Sequence, residues 1–361
     1  MAEIRIQNLV KVFPGGTRAV DGVSIHVADG EFLVLLGPSG CGKTTTLRCV
    51  AGLERQTRGD IHIGDRLVNA LPPADRDIAF VFQFYALYPH LSAYDNIAFP
   101  LKAAQLPKSE VDQRVHHVAE MLKINHLLNR RPKRLSSGEQ QRVALGRAIV
   151  RRPQVFLLDE PLTNMDSSLR ADMRVELKHL QQELGTTTLY VTHDQTEAMA
   201  LGHKIAVMDA GKLQQVGAPL EVYNHPATLF VAGFIGSPPM NLLDVTLAAG
   251  PALVDPDGAF RLPVDAALAE KWPTLVPLKL GVRSEDLHIA ADPSAGDMPA
   301  EVYVVEPLGD ETIYSLRFAG SHVMLAKAPP ALDLKVGDKV GVSFDRSRLH
   351  VFDVQTGKAL R

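Results

Sequence analysis

The residues best able to do chemistry lie in two short segments. Gly37-Pro38-Ser39-Gly40-Cys41-Gly42-Lys43-Thr44 fits the spacing G-x-x-x-x-G-K-[ST]. Its glycines let backbone N–H groups turn inward around phosphate oxygens, and the N-terminus of a following helix adds the positive end of its dipole. Lys43 is then placed to neutralise the β- and γ-phosphates, and the Thr44 hydroxyl to ligate Mg²⁺. The motif follows the apolar run Phe32–Leu36 and precedes the helix-like Thr45-Thr46-Leu47-Arg48, which is the context it needs. The second segment, Val155-Phe156-Leu157-Leu158-Asp159-Glu160, is an apolar run ending in two acids. A carboxylate at the end of a buried strand can hold Mg²⁺ across from the phosphate turn, which suits Asp159. Glu160, one residue on, can polarise an attacking water. Together the segments predict a nucleoside triphosphate site.

These residues need elements to position them. Phe32–Leu36, Val155–Leu158 and Ile205–Met208 are continuously apolar, as strands of a parallel sheet covered on both faces are. Between them, Val111, Val115, Val118 and Leu122 recur at helical spacing behind a capping-box pair, Ser109 and Asp112. Leu169, Met173, Leu177, Leu180 and Leu184 form a second stripe, which Gly185 is placed to end. This part reads as α/β. Gly236-Ser237-Pro238-Pro239 punctuates the chain, and beyond it the period becomes two. Tyr314, Leu316 and Phe318 alternate with Ser315 and Arg317, and Val340, Val342 and Phe344 with Gly341 and Ser343. Short half-buried strands at this spacing predict a small β-barrel or sandwich.

Bulk properties agree with a two-domain globular chain. There are 361 residues, 46% apolar and 22% charged, enough apolar surface to build cores throughout. The net charge of −3 argues against a partner held by phosphate neutralisation, so no nucleic acid is expected. No apolar run approaches the ~20 residues of a membrane span, and the opening Met-Ala-Glu-Ile lacks a secretory pattern. The two cysteines, Cys41 and Cys49, would stand about 12 Å apart if both lay on one helix, too far for a disulfide. A reducing cytoplasm is the expectation.

The residues between the two segments decide among phosphate-binding families. Leu135-Ser136-Ser137-Gly138-Glu139-Gln140-Gln141-Arg142 resembles the L-S-G-G-Q signature of ATP-binding cassette (ABC) proteins. Arg142–Ala148 and Asp159-Glu160-Pro161-Leu162 extend the resemblance. Gln83 looks like the family's Q-loop glutamine and His193, in Val191-Thr192-His193-Asp194, like its switch histidine. Tyr85–His90, Asp95–Ala98, Gly236–Asn241, Gly281–Asp286 and His350–Asp353 resemble the carbohydrate-importer branch typified by the maltose-transporter ATPase.

That resemblance implies an α/β P-loop ABC nucleotide-binding domain over residues 1–235, with a helical subdomain at about 88–152. A β-rich, OB-type regulatory domain would follow over 236–361. It also implies an ATPase on the cytoplasmic face of the cell membrane, powering import of a sugar or sugar derivative. A non-sugar solute (polyamine, sulfate or glycerol phosphate) and a soluble ABC ATPase acting on nucleic acid are the alternatives. The implied partners are a second copy paired head to tail, two transmembrane permease subunits and, indirectly, an extracytoplasmic solute-binding protein. ATP and Mg²⁺ would be held by Gly37, Pro38, Ser39, Gly40, Cys41, Gly42, Lys43, Thr44, Thr45 and Asp159, with Phe13 stacked on adenine. Ser136, Ser137, Gly138 and Glu139 would face the nucleotide of the opposing copy. Thr44, Gln83 and Asp159 would be the metal's protein contacts, Glu160 the general base, and His193 a γ-phosphate contact.

Two departures stand out. Ser137 and Glu139 occupy places where the family pattern has Gly and Gln. Ser137 adds a Cβ where glycine would tolerate a positive φ. Glu139 brings a charge toward another subunit's nucleotide, which is unfavourable unless it is paired or turned away. In Thr163-Asn164-Met165-Asp166 the family more often has Ser-Asn-Leu-Asp. The expectation is a working ATPase, slowed if the Glu139 charge is unpaired.

Overall fold

The computed structural model describes residues 2–360 except 164, 249, 271, 275, 320 and 321, and of residue 268 the backbone only. The chain divides into two compact units, residues 1–220 and 221–361.

The first unit contains two sheets. β1 (Ile4–Val12), β2 (Arg18–Val27), β4 (Arg58–Ile63) and β5 (Arg66–Leu67) form an antiparallel sheet in the order β2-β1-β4-β5. β3 (Phe32–Leu36), β6 (Ile78–Val81), β7 (Val155–Asp159), β8 (Thr187–Thr192), β9 (Lys204–Asp209) and β10 (Lys212–Gly217) make the other, ordered β10-β9-β3-β8-β7-β6. β3 runs parallel to β8 and β9, and β7 parallel to β6 and β8. All five residues of β3 and of β7 are buried, as the apolar runs Phe32–Leu36 and Val155–Leu158 require, with Asp159 buried at the end of β7. One core cluster joins Ile4, Ile6 and Val20 of the antiparallel sheet with Leu33, Leu35, Leu157 and Val191 of the parallel one. α1 (Lys43–Ala51) adds Leu47 and Val50 to it.

Three helices separate β6 from β7: α2 (Ala93–Ala103), α3 (Lys108–Met121) and α4 (Ser137–Ile149). They fall within the expected 88–152 segment. In α3, Val111, Val115 and Val118 are buried as the spacing predicts, but Ser109 and Asp112 form no capping box. The helix starts two residues earlier, at Lys108 after the N-cap Pro107, so Ser109 sits inside its first turn, and the Asp112 carboxylate instead accepts from the Tyr94 hydroxyl. α5 (Ser167–Leu184) buries Met173, Leu177 and Leu180 and ends on Gly185 at φ 61°. α6 (Gln195–Leu201) follows β8.

The second unit holds two antiparallel sheets, of six and five strands, over a shared core that includes Tyr314, Leu316, Phe318, Val340, Val342 and Phe344. The division at 220/221 precedes the expected break at 236. Residues 221–235 pack with the C-terminal β-rich portion: Leu229 N donates to Gly357 O (2.8 Å), Ala359 N to Ala227 O (3.0 Å), and Ala232 sits with Met240 and Phe352. Arg283 fastens this junction. Its guanidinium lies 4.0 Å over the Tyr223 ring and donates to the carbonyls of Ile235 and Tyr223.

Both cysteines are free and buried, Cys41 in the turn before α1 and Cys49 on the helix, so they do not share one helix as supposed.

Arg283→Met leaves two carbonyls short of a buried donor and is expected to destabilise the second unit by about 3 kcal/mol. Urea unfolding of the full chain, followed by fluorescence of its single tryptophan, Trp272, measures this directly.

Candidate functional site

The P-loop turn is shaped by close backbone approach. A Cβ on Gly37 would stand 2.3 Å from Met208 O and 2.7 Å from Cys41 Sγ, and one on Gly42 would stand 2.3 Å from Ala19 O. Gly42, at φ 102°, is also the N-cap of α1, and Gly40 turns outward at φ 79°. Pro38, Ser39, Gly40, Thr44 and Thr45 remain at least partly exposed around this turn. Lys43 is buried, and its Nζ donates to Gly37 O (2.7 Å) and Pro38 O (2.9 Å). An ammonium held on loop carbonyls can exchange them for phosphate oxygens. Phe13 is half-buried in the turn between β1 and β2, with Lys11 Nζ 4.8 Å from its ring centre.

Thr44 Oγ1 donates to Asp159 Oδ1 over 3.0 Å, bringing together the hydroxyl and carboxylate read as metal contacts. Burial pushes the Asp159 carboxyl above its ordinary 3.8, against the lowering influence of the Thr44 hydrogen bond and Arg48. A buried carboxylate beside a hydroxyl is a hard oxygen set that suits Mg²⁺.

The structure gathers three side chains around one oxygen of Glu160. His193 Nδ1 lies 3.1 Å from Glu160 Oε2, Thr163 Oγ1 donates to it (3.2 Å) and Gln83 Nε2 donates to it (3.4 Å). Glu160 holds φ 44°, unusual for a residue with a Cβ, while its N–H donates to Val191 O (3.0 Å). The bend lets an acid adjacent to Asp159 face different partners. Thr163, named in the sequence only as a departure from the family pattern, stands three residues after Glu160 and bonds to its carboxylate. Of Thr163–Asp166, residue 164 lies outside the described residues.

Gln83 follows β6, and the segment after it is strained. Tyr85 and Ala86 both have positive φ, and their carbonyls accept from Arg147 of α4 (2.9 and 2.7 Å). Phe84 is 75% exposed, whereas Tyr85 is buried. The aromatic segment is therefore split between surface and core.

Ser136, Ser137, Gly138 and Glu139 stand apart from this cluster, at the N-terminus of α4. Their departures from the family pattern resolve locally. Ser137 is the first helical residue and does not adopt a positive φ, so its Cβ meets no strain there. The tight position is Gly138, where a Cβ would press to 2.8 Å on Leu169. Glu139 closes a capping box: Ser136 N donates to Glu139 Oε2 (2.7 Å) and Glu139 N to Ser136 Oγ (3.3 Å). That backbone hydrogen bond, with help from Arg130 and His126, holds its carboxyl below the usual range. The charge is held by a backbone N–H at its own helix end.

Comparison with known proteins decides the family. Residues 20–163 match the family described as ABC transporter, 236–287 the MalK OB fold domain and 280–352 the TOBE domain. Over its whole length the chain is 52% identical to the trehalose/maltose import ATP-binding protein MalK of Thermococcus litoralis, with 100% of both chains covered. The chain belongs to the ABC transporter family. This ABC chain is also 48% identical to the sn-glycerol-3-phosphate import ATP-binding protein UgpC of Cupriavidus pinatubonensis, covering 100% of both. It is 48% identical to the xylose/arabinose import ATP-binding protein XacK of Haloferax volcanii, covering 100% of this chain and 96% of that one. Among solved structures, the ATP-binding cassette MJ0796, a dimer in a post-hydrolysis state bound to ADP and Pi, shares 30% identity at a TM-score of 0.55. It covers 60% of this chain and 98% of that one. The ABC nucleotide-binding fold implies that this chain binds ATP. Among the described residues no helix is long and apolar enough to cross a membrane.

The site's electrostatics set two expected outcomes. A raised carboxyl favours the folded state when protonated, so Asp159 weakens the nucleotide-free fold as pH rises through 3.8 toward its folded value. Asp159→Asn should therefore melt no lower than wild type at pH 7.5 without metal. The extra stabilisation by Mg·ATP over ATP with EDTA should shrink to within about 1 °C, as scanning calorimetry would read. Glu139→Gln should leave ATP turnover within about twofold, because the charge it removes is already held on the helix cap.

Proposed function

We propose that this chain is the ATP-hydrolysing subunit of an importer for a sugar or sugar derivative. The observation that carries the reading is the meeting of His193, Thr163 and Gln83 on one oxygen of Glu160, one residue beyond the Asp159–Thr44 pair at the P-loop. The full-length likeness to import ATP-binding proteins named for trehalose/maltose and for xylose/arabinose supports the solute class.

On this reading the turn Gly37–Thr45 cradles the ATP phosphates and Phe13 stacks on adenine. Thr44, Asp159 and Gln83 hold Mg²⁺, whose charge would offset that of the phosphate oxygens. Glu160 accepts the proton of the attacking water, and His193 steadies the γ-phosphate. The barrier is lowered by placement and by fixed charge, as phosphoryl transfer requires. Ser136 and Gly138 of a second, head-to-tail copy complete each site, so ATP favours the closed pair and hydrolysis removes that preference. The exposed Phe84, beside the Q-loop residue Gln83, is where movement would pass to two permease subunits in the membrane, with a solute-binding protein engaged on the far side. The chain would then sit on the membrane's cytoplasmic face.

The test pairs hydrolysis with uptake. Mg·ATP turnover by the purified chain should rise faster than linearly with protein concentration, and Glu160→Gln should lower it by at least about 10²-fold while ATP still binds. In cells lacking the chain, the wild type but not Glu160→Gln should restore uptake of labelled maltose, trehalose, xylose or arabinose. Restoration of glycerol-3-phosphate uptake alone would transfer the reading to that solute.

A further inference from the structure

Glu160 follows β7 and His193 follows β8, so their spacing depends on what ties the two loops together. A polar network lies behind them. The Tyr190 hydroxyl and Thr192 Oγ1 both donate to Glu197 Oε2, each over 2.8 Å. Thr192 Oγ1 in turn accepts from Asp194 N (2.9 Å). Asp194 caps α6 through Oδ1, accepting from Thr196 N (2.7 Å) and Glu197 N (3.1 Å). Its other oxygen accepts from Arg170 Nη1 (3.3 Å). Arg170 Nη2 reaches the opposite loop and donates to Met165 O (3.0 Å). One guanidinium thus joins the residue after His193 to the segment that follows Glu160.

Packing alone gives no reason for this chemistry. Tyr190, Thr192 and Glu197 are almost fully buried, and an apolar residue would fill the inward side of α6 without the cost of desolvating a carboxylate. Burial does push the Glu197 carboxyl up. What the carboxylate supplies is direction, since two hydroxyls on one oxygen fix the end of β8 and the peptide that carries His193.

We infer that Arg170 and Glu197 are positioning residues for the Glu160–His193 pair. Glu197 sets the path of the His193 loop, and Arg170 clamps that loop to the one leaving Glu160, keeping His193 Nδ1 beside the acid's Oε2. The inference rests on the proposed roles of Glu160 and His193 in hydrolysis. Among the described residues, the hydrogen bonds and ion pairs of Arg170 and Glu197 all lie outside residues 37–45, so nucleotide affinity is separable from turnover.

The experiment measures kcat, KM and ATP affinity for Arg170→Met, Glu197→Leu and Glu197→Gln in the full chain, with Glu160→Gln alongside. A misplacement of about 1 Å at reacting groups costs up to about 10²-fold. Arg170→Met and Glu197→Leu should each lower kcat by at least about tenfold, with KM and ATP affinity within about twofold. Glu197→Gln keeps an oxygen for both hydroxyls and should restore kcat to within about threefold of wild type. Wild-type kcat in both disruptive variants overturns the inference, as does loss of ATP binding together with kcat, which marks a folding role. Failure of Glu197→Gln to rescue overturns the part assigned to Glu197. If Glu160→Gln is inactive while the disruptive variants turn over normally, the positioning inference fails alone. If Glu160→Gln keeps its turnover, the functional reading fails and the positioning role falls with it.

Discussion

Everything at the nucleotide site depends on the register of the parallel sheet. Leu36 stands opposite Thr192 and Val207, and Asp159 opposite Val191, so β3, β7, β8 and β9 end at one level. The turns that leave those ends carry Gly37–Lys43, Glu160, His193 and Gly211 respectively, and they are forced into proximity. Parallel strands linked by crossovers place their carboxyl ends along one edge, where ligand sites in open α/β sheets form. The backbone contacts of the turn repeat this logic: Gly211 N donates to Cys41 O (3.0 Å) and Asp21 N to Gly211 O (2.8 Å). A one-residue slip in β8 would move His193 out of reach of Glu160 and turn the strand's buried side chains over.

Adjacent acids illustrate how that edge separates functions. Asp159 is the last residue of β7, buried and bonded to Thr44, while Glu160 bends away at φ 44° toward His193 and Thr163. Two carboxylates side by side would repel if they shared one environment. Here one faces the Thr44 hydroxyl and the other the His193 ring and the Thr163 hydroxyl. At the signature, by contrast, the Glu139 charge is absorbed by the end of its own helix. The substitution from the family's Gln is therefore a local capping choice.

The second unit rests on apolar burial together with buried polar ties, among them Asn241, which bonds to Leu325 and to Val282 O. Its two sheets share a core of alternating side chains, and Arg283 ties residues 223 and 235 to a strand end nearly fifty residues later in the chain than Ile235. Gly236-Ser237-Pro238-Pro239 is a true punctuation of local structure, and the MalK OB fold match begins at residue 236. The compact unit nonetheless begins at 221, because contacts and not chain punctuation determine which residues pack together.

What the sequence by itself determined is what local pattern can encode. The glycine spacing of the P-loop, the unbroken apolar runs of β3 and β7, the stop at Gly185 and the alternation of the C-terminal strands are each set by neighbours a few residues away. Ser136 and Glu139 also carried a legible S-x-x-E cap, masked by the family pattern that directs both residues toward an opposing nucleotide. Ser109 with Asp112 carried a similar pattern that failed, because the helix began at Lys108 behind Pro107. The tertiary structure alone decided which distant groups meet. Gln83 and Glu160 are 77 positions apart, and Arg170 and Asp194 are 24 apart. No periodicity registers such pairs, because their distance is fixed by strand order and register, which emerge only when the whole sheet has formed.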